Sequence, residues 1–159
     1  MATHLQVGEK APAFTGVDQD GKKVSLADFK GQKVVLYFYP EDDTPTCTVQ
    51  ACNLRDNYGL LRNNGFVVLG VSPNDSQSHQ KFITKFHLPF PLLADPEHKI
   101  INKYGVWGEK ILYGRKYMGL HRTTFVIDEQ GKIARIFLRP RNKAHAEEIV
   151  KQAAQNNDH

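Results

Sequence analysis

Cysteine is scarce in this chain: two in 159 residues, at positions 47 and 52. So small a number excludes a disulfide-stapled scaffold and leaves a redox pair, a metal site or two inert buried thiols. No stretch approaches 18 consecutive apolar residues, so no membrane-spanning helix and no membrane partner are expected. The first ten residues hold no apolar core of signal-peptide length, and the expected location is the cytoplasm, where thiols are kept reduced. An excess of one charge is also missing: 21 Lys and Arg face 17 Asp and Glu, a net +4. The basic residues are scattered, with only a mild concentration over 135–143. A nucleic-acid module gathers them into a stripe interleaved with aromatics, so no nucleic-acid partner is expected. Neither a repeat nor a linker interrupts the chain, and residues 1–159 read as one domain. With 40% hydrophobic and 24% charged residues, that domain can bury a core.

What is present is an alternation of short apolar runs with amphipathic segments, the pattern of α/β packing. Residues 12–29 read as extended segments around a turn at Asp20-Gly21, with 22–26 as the strand. Residues 34–39 are continuously apolar, as in a central strand buried on both faces. Residues 46–64 read as one helix stopped at Asn63-Asn64-Gly65. There follow a buried strand at 66–71, a helix at 76–86, a short strand at 92–94 and a helix at 96–104. Residues 105–120 read as loop-rich, with room for a turn or short strand. A hairpin over 123–128 and 132–138 turns at Glu129-Gln130-Gly131, and a helix at 144–155 leaves a frayed four-residue end. The order predicts an α/β thioredoxin-like fold, a central mixed β-sheet flanked by α-helices.

The chemistry concentrates where the first helix starts. Pro45 suits the first helical position, because its missing N–H would be unpaired there. Thr44 is then the N-cap and Cys47 the third position, where free amides and the positive end of the helix dipole face the sulfur. Such positions favour thiolate over thiol. Cys47 shares an apolar stripe with Ala51, Leu54, Tyr58 and Leu61, which turns it toward the protein body, at the mouth of the fold. Cys52 lies about 140° around the axis, toward Arg55 and Asp56. In an ideal helix the two Cα atoms are about 8.6 Å apart, whereas a disulfide wants roughly 4.4 to 6.8 Å. If these cysteines bond, the first turns must unwind. Zinc would need two further ligands at fixed spacing, and the histidines are scattered, so no metal or cofactor is expected. The Cys-x2-Cys spacing of a thioredoxin-type oxidoreductase is absent. An inert buried cysteine is the plain alternative, and the helix start after a buried strand argues against it.

Pro40-x3-Thr44-x2-Cys47 resembles the active-site signature of the peroxiredoxins. Cys52, five residues on, resembles the subgroup called bacterioferritin comigratory protein or peroxiredoxin Q. The same likeness runs through Tyr37-Phe-Tyr-Pro40, Thr46-Cys-Thr-Val-Gln-Ala-Cys52-Asn-Leu-Arg-Asp56, Phe66-Val-Val-Leu-Gly-Val-Ser72, Tyr104-Gly-Val-Trp107-Gly-Glu-Lys110 and Gly119-Leu-His-Arg122-Thr-Thr-Phe-Val-Ile-Asp128. It covers nearly the whole chain from Val7 onward. It implies a thiol-specific peroxidase that reduces hydrogen peroxide and organic hydroperoxides. Cys47 would be the peroxidatic cysteine, and Cys52 the resolving one in an intramolecular disulfide. Thr44 and Arg122 would shape the peroxide site, and Pro40 would shield it. The implied reductant is thioredoxin or a similar dithiol, and the implied assembly is a monomer or weak homodimer. On its own Arg122 reads as a surface charge; only the surrounding Gly-x-x-Arg-x-Thr-Phe pattern singles it out. The Thr44 hydroxyl could cap the Cys47 amide or touch the peroxide. His121 reads as a solvent or packing residue, and Trp107, Phe38 and Tyr39 as core or pocket wall. The alternative is a protein disulfide reductase or isomerase, and a third reading is a holdase-like or nucleic-acid-binding protein with a vestigial thiol site.

Overall fold

The run at residues 34–39 offers water no polar face, and it occupies the place such a strand needs, inside the sheet. The computed structural model describes residues 3–157. Its elements are β1 (Thr15–Val17), β2 (Lys23–Ser25), β3 (Lys33–Phe38), α1 (Pro45–Asp56), α2 (Tyr58–Asn63), β4 (Phe66–Ser72), α3 (Ser76–Phe86) and β5 (Leu92–Ala94). They continue with α4 (Lys99–Lys103), β6 (Trp107–Leu112), β7 (Arg115–Leu120), β8 (Thr123–Ile127), β9 (Ile133–Phe137) and α5 (His145–Asn157). Seven strands pair in the order β2-β1-β5-β4-β3-β8-β9. The β3, β4 and β5 strands are parallel, and β8 runs antiparallel to β3. This is the mixed sheet the sequence predicts.

Side chains alternate across β3 and divide the core. Val34, Leu36 and Phe38 join Ile100, Ile101 and Tyr104 on one face. Val35, Tyr37 and Tyr39 join Ala51, Leu54, Phe82 and Ile149 on the other, so α1, α3 and α5 cover that face. Cys47 belongs to this second cluster.

Several elements depart from their expected bounds. The helix expected over 46–64 starts at Pro45 and breaks at Asn57, whose backbone turns to φ −111°, ψ 15°. The Asn57 side chain donates to the Asn53 carbonyl at 2.9 Å, a local alternative to helix propagation that asparagine offers readily. The helix expected over 96–104 shrinks to Lys99–Lys103, where the Asp95 carboxylate accepts from the Lys99 and Ile101 amides. Residues 105–120, expected as loop-rich with room for a turn or short strand, form a regular hairpin paired from Trp107↔Leu120 to Leu112↔Arg115. Its turn, Tyr113-Gly114, has positive φ at both positions (52° and 78°). That is a tight hairpin turn, hidden in the sequence because tyrosine stands where asparagine or aspartate usually does. The closing helix runs on through Asn157, past the point where fraying was expected, while 158–159 lie outside the described residues. No helix among the described residues is long and apolar enough to cross a membrane.

Candidate active site

The strand β3 ends at the edge of the site and hands the chain to a short loop, residues 39–44. Thr44 has extended geometry (φ −88°, ψ 156°) and Pro45 opens α1, so Cys47 occupies the third helical position as expected. Strand register then supplies the neighbour. Phe38 at the end of β3 pairs with Thr123 at the start of β8, so Arg122, one residue earlier, falls beside the loop. Its guanidinium donates from Nη2 to Cys47 Sγ at 3.2 Å and from Nη1 to Gln50 Oε1 at 2.8 Å. A planar fork is the group that can hold both acceptors at once.

Gln50 sits one turn beyond Cys47 on the same helix face and is fully buried. Its Nε2 has no protein partner, and neither does the hydroxyl of buried Tyr37. Burial first, then the facing Cys47, raises the Tyr37 pKa well above the ordinary phenol value, so it stays a neutral donor. The surroundings of the sulfur therefore contain two polar groups without a protein partner.

The other side of the loop is tied down. Asp42 is buried, accepts from Tyr39 Oη at 2.6 Å and from Ser78 Oγ at 2.7 Å, and lies 2.7 Å from His79 Nδ1. The second His79 nitrogen faces the Leu93 carbonyl at 2.9 Å. The Asp42 amide donates to Asn74 Oδ1 at 2.8 Å. Next to it Asp43 takes φ +59°, a conformation uncommon for a residue with a Cβ, and its carboxylate accepts from Lys85 Nζ at 2.8 Å. These bonds fasten the loop to α3.

Among the expected site residues, the structure brings Cys47 and Arg122 into contact. Pro40 is half-buried in the loop. Thr44 does not cap the helix: its hydroxyl turns back into the loop and donates to the Glu41 carbonyl at 3.1 Å. Cys52 is half-buried on α1, and both cysteines are free thiols. Cys47 is only 1% exposed, so its sulfur lies beneath the surface and not at an open mouth. An adjoining groove of about 450 Å³ is lined by Pro45, Thr46, Val49, Arg141, Asn142 and Lys143. His121 places Nε2 3.1 Å from the Glu109 carbonyl and packs against Gly108, away from the sulfur. His145 is buried between Thr124 Oγ1 (2.8 Å) and Glu148 Oε1 (2.6 Å). Its desolvation outweighs Glu148 and lowers the imidazole pKa. Sequence reasoning missed Gln50, although a polar residue one turn from Cys47 on a buried face was a usable signal. It also missed Asp42 and His79, whose separation of 37 positions keeps them from forming any local pattern.

A cysteine at a helix N-terminus, on a thioredoxin-like fold and under a guanidinium, defines a thiol-dependent oxidoreductase. The AhpC/TSA family model matches residues 7–136. The chain is 49% identical over 146 residues to a putative peroxiredoxin Bcp of Haemophilus influenzae, covering 92% of this chain and 94% of that one. It is 48% identical over 133 residues to peroxiredoxin Bcp of Escherichia coli, covering 84% and 85%. Among solved structures it is similar to the Xanthomonas campestris bacterioferritin comigratory protein, studied for alkyl peroxide reduction (TM-score 0.86, 25% identity, 95% and 99% covered). It is also similar to peroxidoxin BcpB of Mycobacterium tuberculosis (TM-score 0.82, 30% identity, 93% and 96% covered). The chain belongs to the AhpC/TSA family, in its bacterioferritin comigratory protein or peroxiredoxin Q group, and is a thiol peroxidase.

Proposed function

We propose that Cys47 is the peroxidatic cysteine of a thioredoxin-dependent peroxidase acting on hydrogen peroxide and organic hydroperoxides. The observation that carries this reading is the 3.2 Å contact from Arg122 Nη2 to Cys47 Sγ at the start of α1. The Cys47 thiolate attacks the terminal peroxide oxygen and the O–O bond breaks. The distal oxygen leaves as water or an alcohol after taking a proton, and the sulfur becomes a sulfenic acid. Arg122 stabilises charge on the reacting atoms, since its donors need no reorganisation when the bond breaks. The Thr44 hydroxyl keeps acceptor capacity toward the bound peroxide, and Pro40 shields the sulfur from bulk water.

Cys52 then attacks the sulfenic sulfur; an S–S bond forms and water leaves. Both cysteines lie within one regular helix, so the opening turns of α1 melt for this step. The melted segment has a natural limit at Asn53, whose Oδ1 accepts from the Ala146 amide at 2.8 Å and whose Nδ2 donates to the Lys143 carbonyl at 2.9 Å. These bonds tie the middle of α1 to the start of α5. A dithiol reductant, thioredoxin or its equivalent, restores both thiols by exchange and is itself oxidised. Such a cycle suits the reducing cytoplasm.

Intact mass after one equivalent of peroxide is the test. The parent protein is expected to lose two hydrogens as it forms the disulfide. Cys52→Ser is expected to gain one oxygen at Cys47, and Cys47→Ser to remain unchanged and lose turnover. Full peroxidase activity in Cys47→Ser would overturn the assignment.

A further inference from the structure

The β6–β7 hairpin serves none of the chemistry above, yet it holds an unusual concentration of exposed apolar surface. Ile111, Leu112, Tyr113, Tyr117 and Met118 fall within eight residues, and they make up half of the ten large hydrophobic side chains exposed among the described residues. Tyr113 is 97% exposed, Ile111 67%, Met118 59% and Leu112 55%. The hairpin base is anchored: Leu120 is buried, Trp107 packs on the His98 ring at 4.3 Å, and the His121 amide donates to the Val106 carbonyl. The outer half pairs with no other strand.

The register shows what kind of medium suits that outer half. Directly opposed residues share a face, so Glu109, Met118, Ile111 and Lys116 lie on one side and Lys110, Tyr117, Leu112 and Arg115 on the other. Apolar side chains thus point both ways near the turn. A docking protein would cover one face and leave the other in water. A medium that surrounds the tip satisfies both faces. At the tip stand two cations, Arg115 opposite Leu112 and Lys116 opposite Ile111, against one anion, Glu109, which lies 3.7 Å from Lys116, while Lys110 turns its Nζ back to the Leu120 carbonyl at 3.0 Å. A second copy of the chain would bring the same positive hairpin and a net charge of +4, so self-association is disfavoured. Leu112, Tyr113 and Ile111 span two to three residues of strand, about 7–10 Å. That is the depth to which interfacial elements sink at the headgroup boundary, where tyrosine is favoured.

We propose that the β6–β7 tip docks on the surface of an anionic lipid bilayer, with Ile111, Leu112 and Tyr113 sunk to the acyl boundary and the long side chains of Arg115 and Lys116, level with them, reaching back to the headgroups. The expectation of no membrane partner came from the lack of a spanning segment, and a surface hairpin needs none. Arg122 follows Leu120 by two residues, so the Cys47 site lies at the base of a hairpin ~20 Å long whose outer part alone enters the lipid. The docking does not depend on the peroxidase reading and is tested without it.

Vesicle co-sedimentation reads it directly, comparing phosphatidylcholine with phosphatidylcholine containing phosphatidylglycerol. Binding is expected only to the anionic vesicles, falling steeply as salt rises. The double variants Leu112→Asp/Tyr113→Asp and Arg115→Glu/Lys116→Glu are each expected to weaken it by about tenfold or more, with hydrogen peroxide turnover as in the parent. Equal binding to both vesicle types, binding to neither, or an undiminished double variant would overturn the proposal. So would a concentration-dependent dimer that the same variants abolish without any vesicle binding.

Discussion

Two clusters of buried and half-buried polar groups flank the start of α1, and they are satisfied to different degrees. On the α3 side Tyr39, Asp42, Asn74, Ser78 and His79 find partners in one another and in the Leu93 carbonyl. On the β8 side Arg122 reaches Cys47 and Gln50, but Gln50 Nε2 and Tyr37 Oη find nothing. A buried polar group normally costs stability unless it is paired. The completed cluster therefore fixes the loop, and the incomplete one keeps donors free beside the sulfur. The comparison assigns stability to one side and rate to the other.

The largest test breaks the completed cluster. Asp42→Ala removes the acceptor shared by Tyr39, Ser78 and His79, leaving two buried groups and the half-buried Ser78 short of a partner. Unfolding in urea is expected to show a loss of about 3–5 kcal/mol. A loss below about 1 kcal/mol would mean that the loop is held elsewhere. On the other side, Arg122→Gln is expected to lower the second-order rate with hydrogen peroxide by about 10²–10³-fold, read by stopped flow. Its urea midpoint should move little. If Arg122→Gln instead costs stability while sparing the rate, the division between the clusters fails.

Legibility in the sequence followed the same division. Thr44-Pro45-x-Cys47 announces a helix start locally, through the missing proline amide and the spacing that follows, so the thiol's position could be read off directly. The central strands were equally plain, because Val34 to Tyr39 and Phe66 to Val71 have no polar face. Arg122 became legible only through family likeness, since its approach to Cys47 depends on the antiparallel register of β3 and β8. Asp42 and His79 meet across the loop and α3, which no local pattern encodes. The hairpin was misread for a different reason: polar and apolar residues share both of its faces, and alternation, the usual sign of a strand, is absent. The break at Asn57 hangs on one side chain competing with the helix backbone.

A pH series sharpens the comparison on the β8 side, where His145 is buried but fully partnered. Its folded pKa lies below the free value of about 6.5, so the unfolded chain binds the proton more tightly. Stability is then complete above about pH 6.5 and declines as pH falls from there toward the depressed folded pKa, at up to about 1.4 kcal/mol per unit. His145→Gln is expected to flatten that slope in urea melts taken on either side of about pH 6. An equally steep slope in the variant would place the acid sensitivity in another group.

The smallest effect is the most discriminating. Tyr37 carries a neutral hydroxyl, buried against Cys47, that no protein group engages. If it only packs, Tyr37→Phe deletes an unsatisfied polar atom and nothing else, so stability stays level or rises by up to about 1 kcal/mol. If the hydroxyl meets an oxygen of the bound peroxide, the rate must fall as well. The incomplete cluster predicts both together: unchanged or higher stability, with peroxide reduction slowed about tenfold, less than loss of a charged donor. Stopped-flow rates and urea midpoints on the same preparation separate the cases. An unaltered rate would make Tyr37 a wall of the pocket, leaving Gln50 Nε2 as the remaining unused donor beside the sulfur.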